Sequence, residues 1–166
     1  MRNGRRCPDL SGELEMKLLF FHGLESGPHG SKFQTLSKHF EIESPDFQNL
    51  ALEERVAKAE ALTEGEDDLV VVGSSFGGLV ASILYDKHPE RFRGYVLMAP
   101  ALHHLEPKSM PERCAVIHGN ADEIVPFEDV KRICAKFGAP FFEVDDEHRL
   151  ANSHELMVAK VREILA

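Results

Sequence analysis

A serine hydroxyl becomes a useful nucleophile only when a neighbouring base takes its proton and an acid holds that base in place. One stretch of the chain suits the first part: Gly73-Ser74-Ser75-Phe76-Gly77. Small residues around Ser75 let its backbone take a strained turn that lifts Oγ clear, and a helix starting beneath it would offer unpaired N–H groups to an oxyanion. Downstream, the apolar run Cys114–Ile117 leads into His118-Gly119-Asn120-Ala121-Asp122. Asp122 is the candidate acid there, with Glu123 as the competing carboxylate. Further on, Val144-Asp145-Asp146-Glu147-His148 supplies His148 as the candidate base. His154 competes for that part, but Asn152 or Ser153 suits a helix N-cap, which makes His154 a first-turn residue. The chain order Ser75, Asp122, His148 is one of three in which such triads recur.

An oxyanion also needs two donors aimed at one point. The run Phe20-Phe21-His22-Gly23-Leu24-Glu25-Ser26-Gly27 reads as a strand end followed by a flexible His-Gly loop, which can aim the Leu24 N–H beside that of Phe76. Leu24 and Phe76 are therefore the expected oxyanion hole. A phosphate cradle is disfavoured, because Gly30-Ser31-Lys32 reverses the Gly-Lys-Ser/Thr order of a P-loop. His22 and His118 each precede a glycine and are expected to be structural, bonded to backbone. The adjacent pair His103-His104 is expected to be solvated, and Cys7, Cys114 and Cys134 match no metal-ligand spacing. No metal and no cofactor enter the reading.

Positioning these residues requires a regular scaffold. Short β-rich runs at Lys17–Phe21, Phe40–Ser44, Leu69–Gly73, Tyr95–Ala99, Cys114–Ile117 and Phe141–Val144 alternate with segments of helical period. The latter are Gln34–His39, Leu50–Thr63, Phe76–Lys87, Glu128–Phe137 and Ser153–Leu165. Runs such as Leu69-Val70-Val71-Val72 are apolar at successive positions, as in parallel strands covered on both faces. The expected fold class is α/β: a three-layer α/β/α sandwich of about six mainly parallel strands, with ligands at the strands' C-terminal ends.

The chain has 166 residues, 43% hydrophobic and 28% charged, which suits one globular domain. Residues 1–15 show neither period and read as a flexible N-terminal extension, with Met16 as the expected biological start of a single domain, 16–166. With 19 basic and 28 acidic residues the net charge is −9, which argues against nucleic acid as a partner. No apolar run is long enough to span a membrane, and an odd number of cysteines suits a reducing, cytoplasmic setting. The cluster Glu64, Glu66, Asp67 and Asp68 reads as a solvated face.

Taken together, FHGLESGPHGSK, GSSFGG, HGNADEIVP and DDEHRL resemble the α/β-hydrolase superfamily, in particular its small lidless bacterial serine esterase group, from Lys17 to the end. The resemblance implies hydrolysis of carboxylic esters or thioesters, with Ser75, Asp122 and His148 at the triad positions and Leu24 and Phe76 at the oxyanion positions. It also implies that two leading antiparallel strands of the full fold are missing. A cap would enter at Pro100–Arg113, which is too short to build one. Leu102, His103, His104, Leu105 and Met110 are then expected to form only a low rim around an open, broadly specific site. The alternatives are a noncatalytic binding or regulatory protein on the same scaffold and a triad-dependent acyltransferase.

Overall fold

The computed structural model describes residues 16–166; the expected N-terminal extension and Cys7 lie outside them. Five strands form one parallel sheet in the order of the chain: β1 (Lys17–Phe21), β2 (Leu69–Ser74), β3 (Phe92–Met98), β4 (Cys114–Gly119) and β5 (Phe141–Val144). Five helices accompany them: α1 (Ser31–Ser37), α2 (Leu52–Leu62), α3 (Phe76–Lys87), α4 (Phe127–Phe137) and α5 (His154–Leu165).

Side-chain alternation along each strand divides the interior into two cores. Leu19, Leu69, Val71, Leu97 and Val116 face α2, α3 and α4. The intervening residues Leu18, Val70, Val72, Val96 and Ile117 face α1 and α5. This is the expected three-layer α/β/α sandwich, and its strands are apolar on both faces because helices cover both.

The sheet has five strands, not six. Phe40–Ser44 contributes one bridge, Leu19 to Glu43, closed by Phe20 N–H to Glu43 O at 2.8 Å and Glu43 N–H to Leu18 O at 3.1 Å. Glu41 and Glu43 are exposed, only Phe40 and Ile42 pack inward, and Pro45 follows at once, so no ladder extends. Charged side chains and proline are common ways of ending a sheet at its edge. The connection still runs outward from β1 through α1 on one face, then back through α2 on the other to β2. That reversal opens a crevice beyond the C-terminal ends of β1 and β2, where open α/β sheets bind ligands.

Strand β3 begins earlier than expected, at Phe92, where it pairs with Leu69, and the adjacent Arg93 carries a bidentate ion pair with Asp68 at 2.7 and 2.9 Å. Glu66 likewise meets Lys17 at 3.3 Å, so the acidic cluster before β2 is partly committed to ion pairs. Between β3 and β4 the chain forms no helix or strand, so there is no cap. Leu102 is fully buried in the core and Met110 packs against it, while His103, His104 and Leu105 are exposed. The expected rim is thus split between core and solvent. Cys114 and Cys134 are free and buried, and burial pushes their thiols up to about 11 and about 12. Among the described residues no helix is long and apolar enough to cross a membrane.

Candidate active site

Ser75 stands between β2 and α3 with φ 53° and ψ −114°, a conformation that costs a non-glycine residue about 1–3 kcal/mol. The surrounding backbone holds it there. Its N–H donates to Met98 O at 2.9 Å, and its carbonyl accepts from Gly78, Leu79 and Ala101 at 3.0, 3.3 and 3.0 Å. So tight a turn leaves no room at its flanks. A Cβ on Gly77 would lie 2.0 Å from Phe21 O, and one on Gly73 would lie 2.7 Å from Gly78 Cα.

The three residues expected to cooperate are brought together. Ser75 Oγ lies 3.0 Å from His148 Nε2, and His148 Nδ1 lies 2.8 Å from Asp122 Oδ2. Asp122 has a fully buried side chain; its Oδ1 accepts from the N–H groups of Ile124 and Val125 at 2.8 and 2.9 Å. Glu123 takes no part in this network. His154 begins α5 behind Ser153, as expected, with Nδ1 2.8 Å from Thr35 Oγ1 and no contact with Ser75.

His148 hangs in a loop organised by a residue that sequence reasoning did not single out. Asp146 Oδ1 accepts from Glu147 N–H at 2.8 Å, while Oδ2 accepts from Asn152 N–H at 2.9 Å and Ser153 Oγ–H at 2.8 Å. Burial works against the charge on Asp146, but the hydrogen bonds from Ser153, Glu147 and Asn152, with the field of Lys32, hold its carboxyl below the usual range. Leu150 then buries its side chain from a left-handed turn at φ 52°. The one signal of Asp146 in the sequence is a short acidic side chain in the loop that leads, seven residues later, to the helix N-cap Ser153.

On the opposite wall, Gly23 sits close against Ser75: a Cβ there would be 3.5 Å from Ser75 Cβ. His22 is wholly buried, donating from Nδ1 to Gly23 O at 2.7 Å and accepting the Phe47 N–H at Nε2 at 2.8 Å. Those two bonds fix a neutral ring, and burial lowers its pKa in agreement. Beneath the loop lies Arg55, also buried. It donates to the carbonyls of His22, Gly23 and Leu50 at 3.1, 3.4 and 3.2 Å, with its guanidinium 5.1 Å from the Phe76 ring centre. In a trans peptide the N–H points opposite the carbonyl. Anchoring Gly23 O on the buried side therefore turns the Leu24 N–H towards the cleft. Neither that N–H nor the Phe76 N–H makes a hydrogen bond among the described residues, so both remain available to an anion. Arg55 was missed by sequence reasoning; its signal is a charge on the apolar face Leu52, Val56, Ala59 of α2.

His118 is the other residue whose part exceeds expectation. It is fully buried, and Nε2–H donates to Val125 O at 3.2 Å while Nε2 also lies 3.2 Å from Asp122 Oδ2. It thus bonds backbone, as expected, but also touches the acid. Gly23, Leu24, Ser75, Ile124, His148 and Arg149 are among the walls of a cleft of about 460 Å³. Residues 102–110 are not, so the loop after β1 shapes the mouth instead.

A sequence model of the alpha/beta hydrolase fold matches residues 19–163. The chain belongs to that family. Solved structures similar to this alpha/beta hydrolase include one of the alpha/beta hydrolase superfamily from Xanthomonas campestris pv. campestris, with 24% identity over 90% of this chain and 98% of that one and a TM-score of 0.76. Another is alpha/beta hydrolase domain-containing protein 10 from mouse, at 16% identity, 90% and 89% coverage and a TM-score of 0.72. The ydeN gene product of B. subtilis matches at 16% identity, 90% and 98% coverage and a TM-score of 0.71. At such identities the likeness concerns the fold. No curated protein matches the chain.

Proposed function

We propose that the protein is a serine hydrolase that cleaves carboxylic esters or thioesters through an acyl-enzyme on Ser75. The observation that carries this reading is the unbroken contact from Ser75 Oγ through the His148 ring to Asp122, at 3.0 and 2.8 Å. In the forward step Oγ attacks the carbonyl carbon while His148 Nε2 takes the hydroxyl proton, and Asp122 stabilises the resulting imidazolium. The negative charge on the former carbonyl oxygen is met by the N–H groups of Leu24 and Phe76. When the carbonyl re-forms, the bond to the leaving alkoxide or thiolate breaks, and His148 returns the proton to that group. Water then repeats the sequence, with His148 as base, and releases the acid. None of these steps calls on a metal or cofactor. The two buried thiols support a reducing, cytoplasmic setting.

Intact-mass labelling with a fluorophosphonate tests the reading. One adduct is expected on the folded protein, and none on heat-denatured protein or on Ser75→Ala. Turnover of 4-nitrophenyl and thiophenyl esters by Ser75→Ala should fall roughly 10⁶-fold, the size of loss when a serine nucleophile is removed. An unlabelled native protein, or a Ser75→Ala variant of undiminished activity, would overturn the assignment.

A further inference from the structure

Two cations, Lys32 and Arg149, stand in the wall of the cleft that holds Ser75 and His148. Neither has a carboxylate within ion-pairing distance among the described residues. Lys32 donates to the carbonyl of Arg149 at 2.7 Å. An ammonium carries three N–H groups, so two stay uncommitted. Asp146 is the nearby buried carboxylate, but Glu147, Asn152 and Ser153 already occupy its oxygens. Partial burial pushes the Lys32 ammonium down to about 8, against the pull of Asp146 and with the push of Arg149. Arg149, next to His148 in the chain, is exposed, and its guanidinium makes no hydrogen bond among the described residues. Glu25 also lines the cleft, from the exposed loop after β1, where water solvates it. In a chain of net charge −9, the cleft wall beside the reacting serine thus carries two cations against one exposed carboxylate, Glu25.

We propose that Lys32 and Arg149 form an anion subsite, so that the preferred substrates are esters or thioesters bearing a carboxylate or phosphate near the scissile bond. This rests on the hydrolase reading above. Lys32 meets the anion as a point charge from inside the wall, and Arg149 supplies a planar fork from the rim. The incoming group gives Lys32 the direct ionic contact that Asp146 does not, and it draws the substrate into the cleft against the protein's overall negative field.

Matched substrates test the subsite. Mono-4-nitrophenyl glutarate against its methyl ester places the charge in the acyl part; 3-acetoxybenzoate against 3-acetoxybenzamide places it in the leaving group; 3-acetoxyphenyl phosphate replaces carboxylate by phosphate. The anionic member of at least one comparison should have the higher kcat/KM, and Lys32→Gln and Arg149→Gln should each lower the anionic-to-neutral ratio about tenfold, with added salt acting in the same direction. Taking the ratio cancels any loss common to all substrates through the loop carrying His148. A ratio that neither variant moves overturns the subsite while neutral-ester turnover leaves the hydrolase reading standing. Should no ester be turned over, calorimetric titration of Ser75→Ala with glutarate and inorganic phosphate decides the matter. Binding that Lys32→Gln weakens supports the subsite, and absence of binding to either anion overturns it.

Discussion

A His-Gly pair closes two strands of the sheet, His22-Gly23 after β1 and His118-Gly119 at the end of β4. Both rings are completely buried, and burial lowers the pKa of both. Their bonding differs. His22 uses both nitrogens on backbone, donating to Gly23 and accepting from Phe47, so it is a fully satisfied strut under the loop carrying Leu24. His118 gives its one N–H to Val125 O with Asp122 3.2 Å away, and its Nδ1 finds no partner among the described residues. A buried acceptor left bare costs roughly 1–3 kcal/mol. One ring therefore serves stability and the shape of the oxyanion loop; the other gives up stability at a place where it touches the acid.

The largest effect on this contrast is expected from Arg55→Met, which removes the second support of the His22 side. The carbonyls of His22 and Leu50 lose their Arg55 donor, so the urea midpoint should fall by the equivalent of about 2–4 kcal/mol. Because the oxyanion donors act mainly in the transition state, kcat should drop about 100-fold with KM little changed. A loss seen in KM alone would detach Arg55 from the oxyanion loop. A smaller pair of effects should separate the two histidines. His22→Phe strands the Phe47 N–H and is expected to cost about 2–3 kcal/mol of stability. His118→Phe strands the Val125 carbonyl but also removes the bare nitrogen and packs against Phe127 and Phe141, so its net cost should be smaller, about 1 kcal/mol, while kcat falls about tenfold. Equal stability losses in the two variants would erase the distinction.

Acid is the mildest probe, because it acts on both rings alike. A histidine whose folded pKa lies below its ordinary value of about 6.5 binds fewer protons folded than unfolded, so stability rises with pH in that interval. His22 and His118 should therefore each withdraw stability as pH falls from about 6.5 towards their lowered values, by at most about 1.4 kcal/mol per pH unit. His154, lowered by burial as well, acts in the same sense. Urea midpoints measured from pH 7.5 to 5 should decline, and less steeply in either Phe variant. A flat profile would mean that the rings are not held neutral.

Most of the scaffold was legible because its strands carry their own signal. Leu69-Val70-Val71-Val72 is apolar at every position whatever it packs on, and Ser75, Asp122 and His148 each follow such a run by a few residues. Phe40–Ser44 misled because its alternation belongs to a strand, while its exposed glutamates and the Pro45 that follows leave it one rung, to Leu19. Leu102 looked like rim and lies in the core, since an apolar residue in a loop carries no mark of which way the loop folds. Arg55 and Asp146 stayed hidden for a related reason. Each acts through backbone groups, and Arg55 reaches carbonyls more than thirty positions away, which no local pattern announces.

The strand order follows the order of synthesis. Each new strand can dock on one already in place, and the backbone contacts that strain Ser75 come from Met98, Ala101 and its own helix, all upstream of β4. The base arrives last, on the loop between β5 and α5, fixed by contacts with Asn152 and Ser153 near the very end of the chain. On the mechanism proposed above, a polypeptide that stops short of His148 thus holds Ser75 in its strained turn without the base that would arm it.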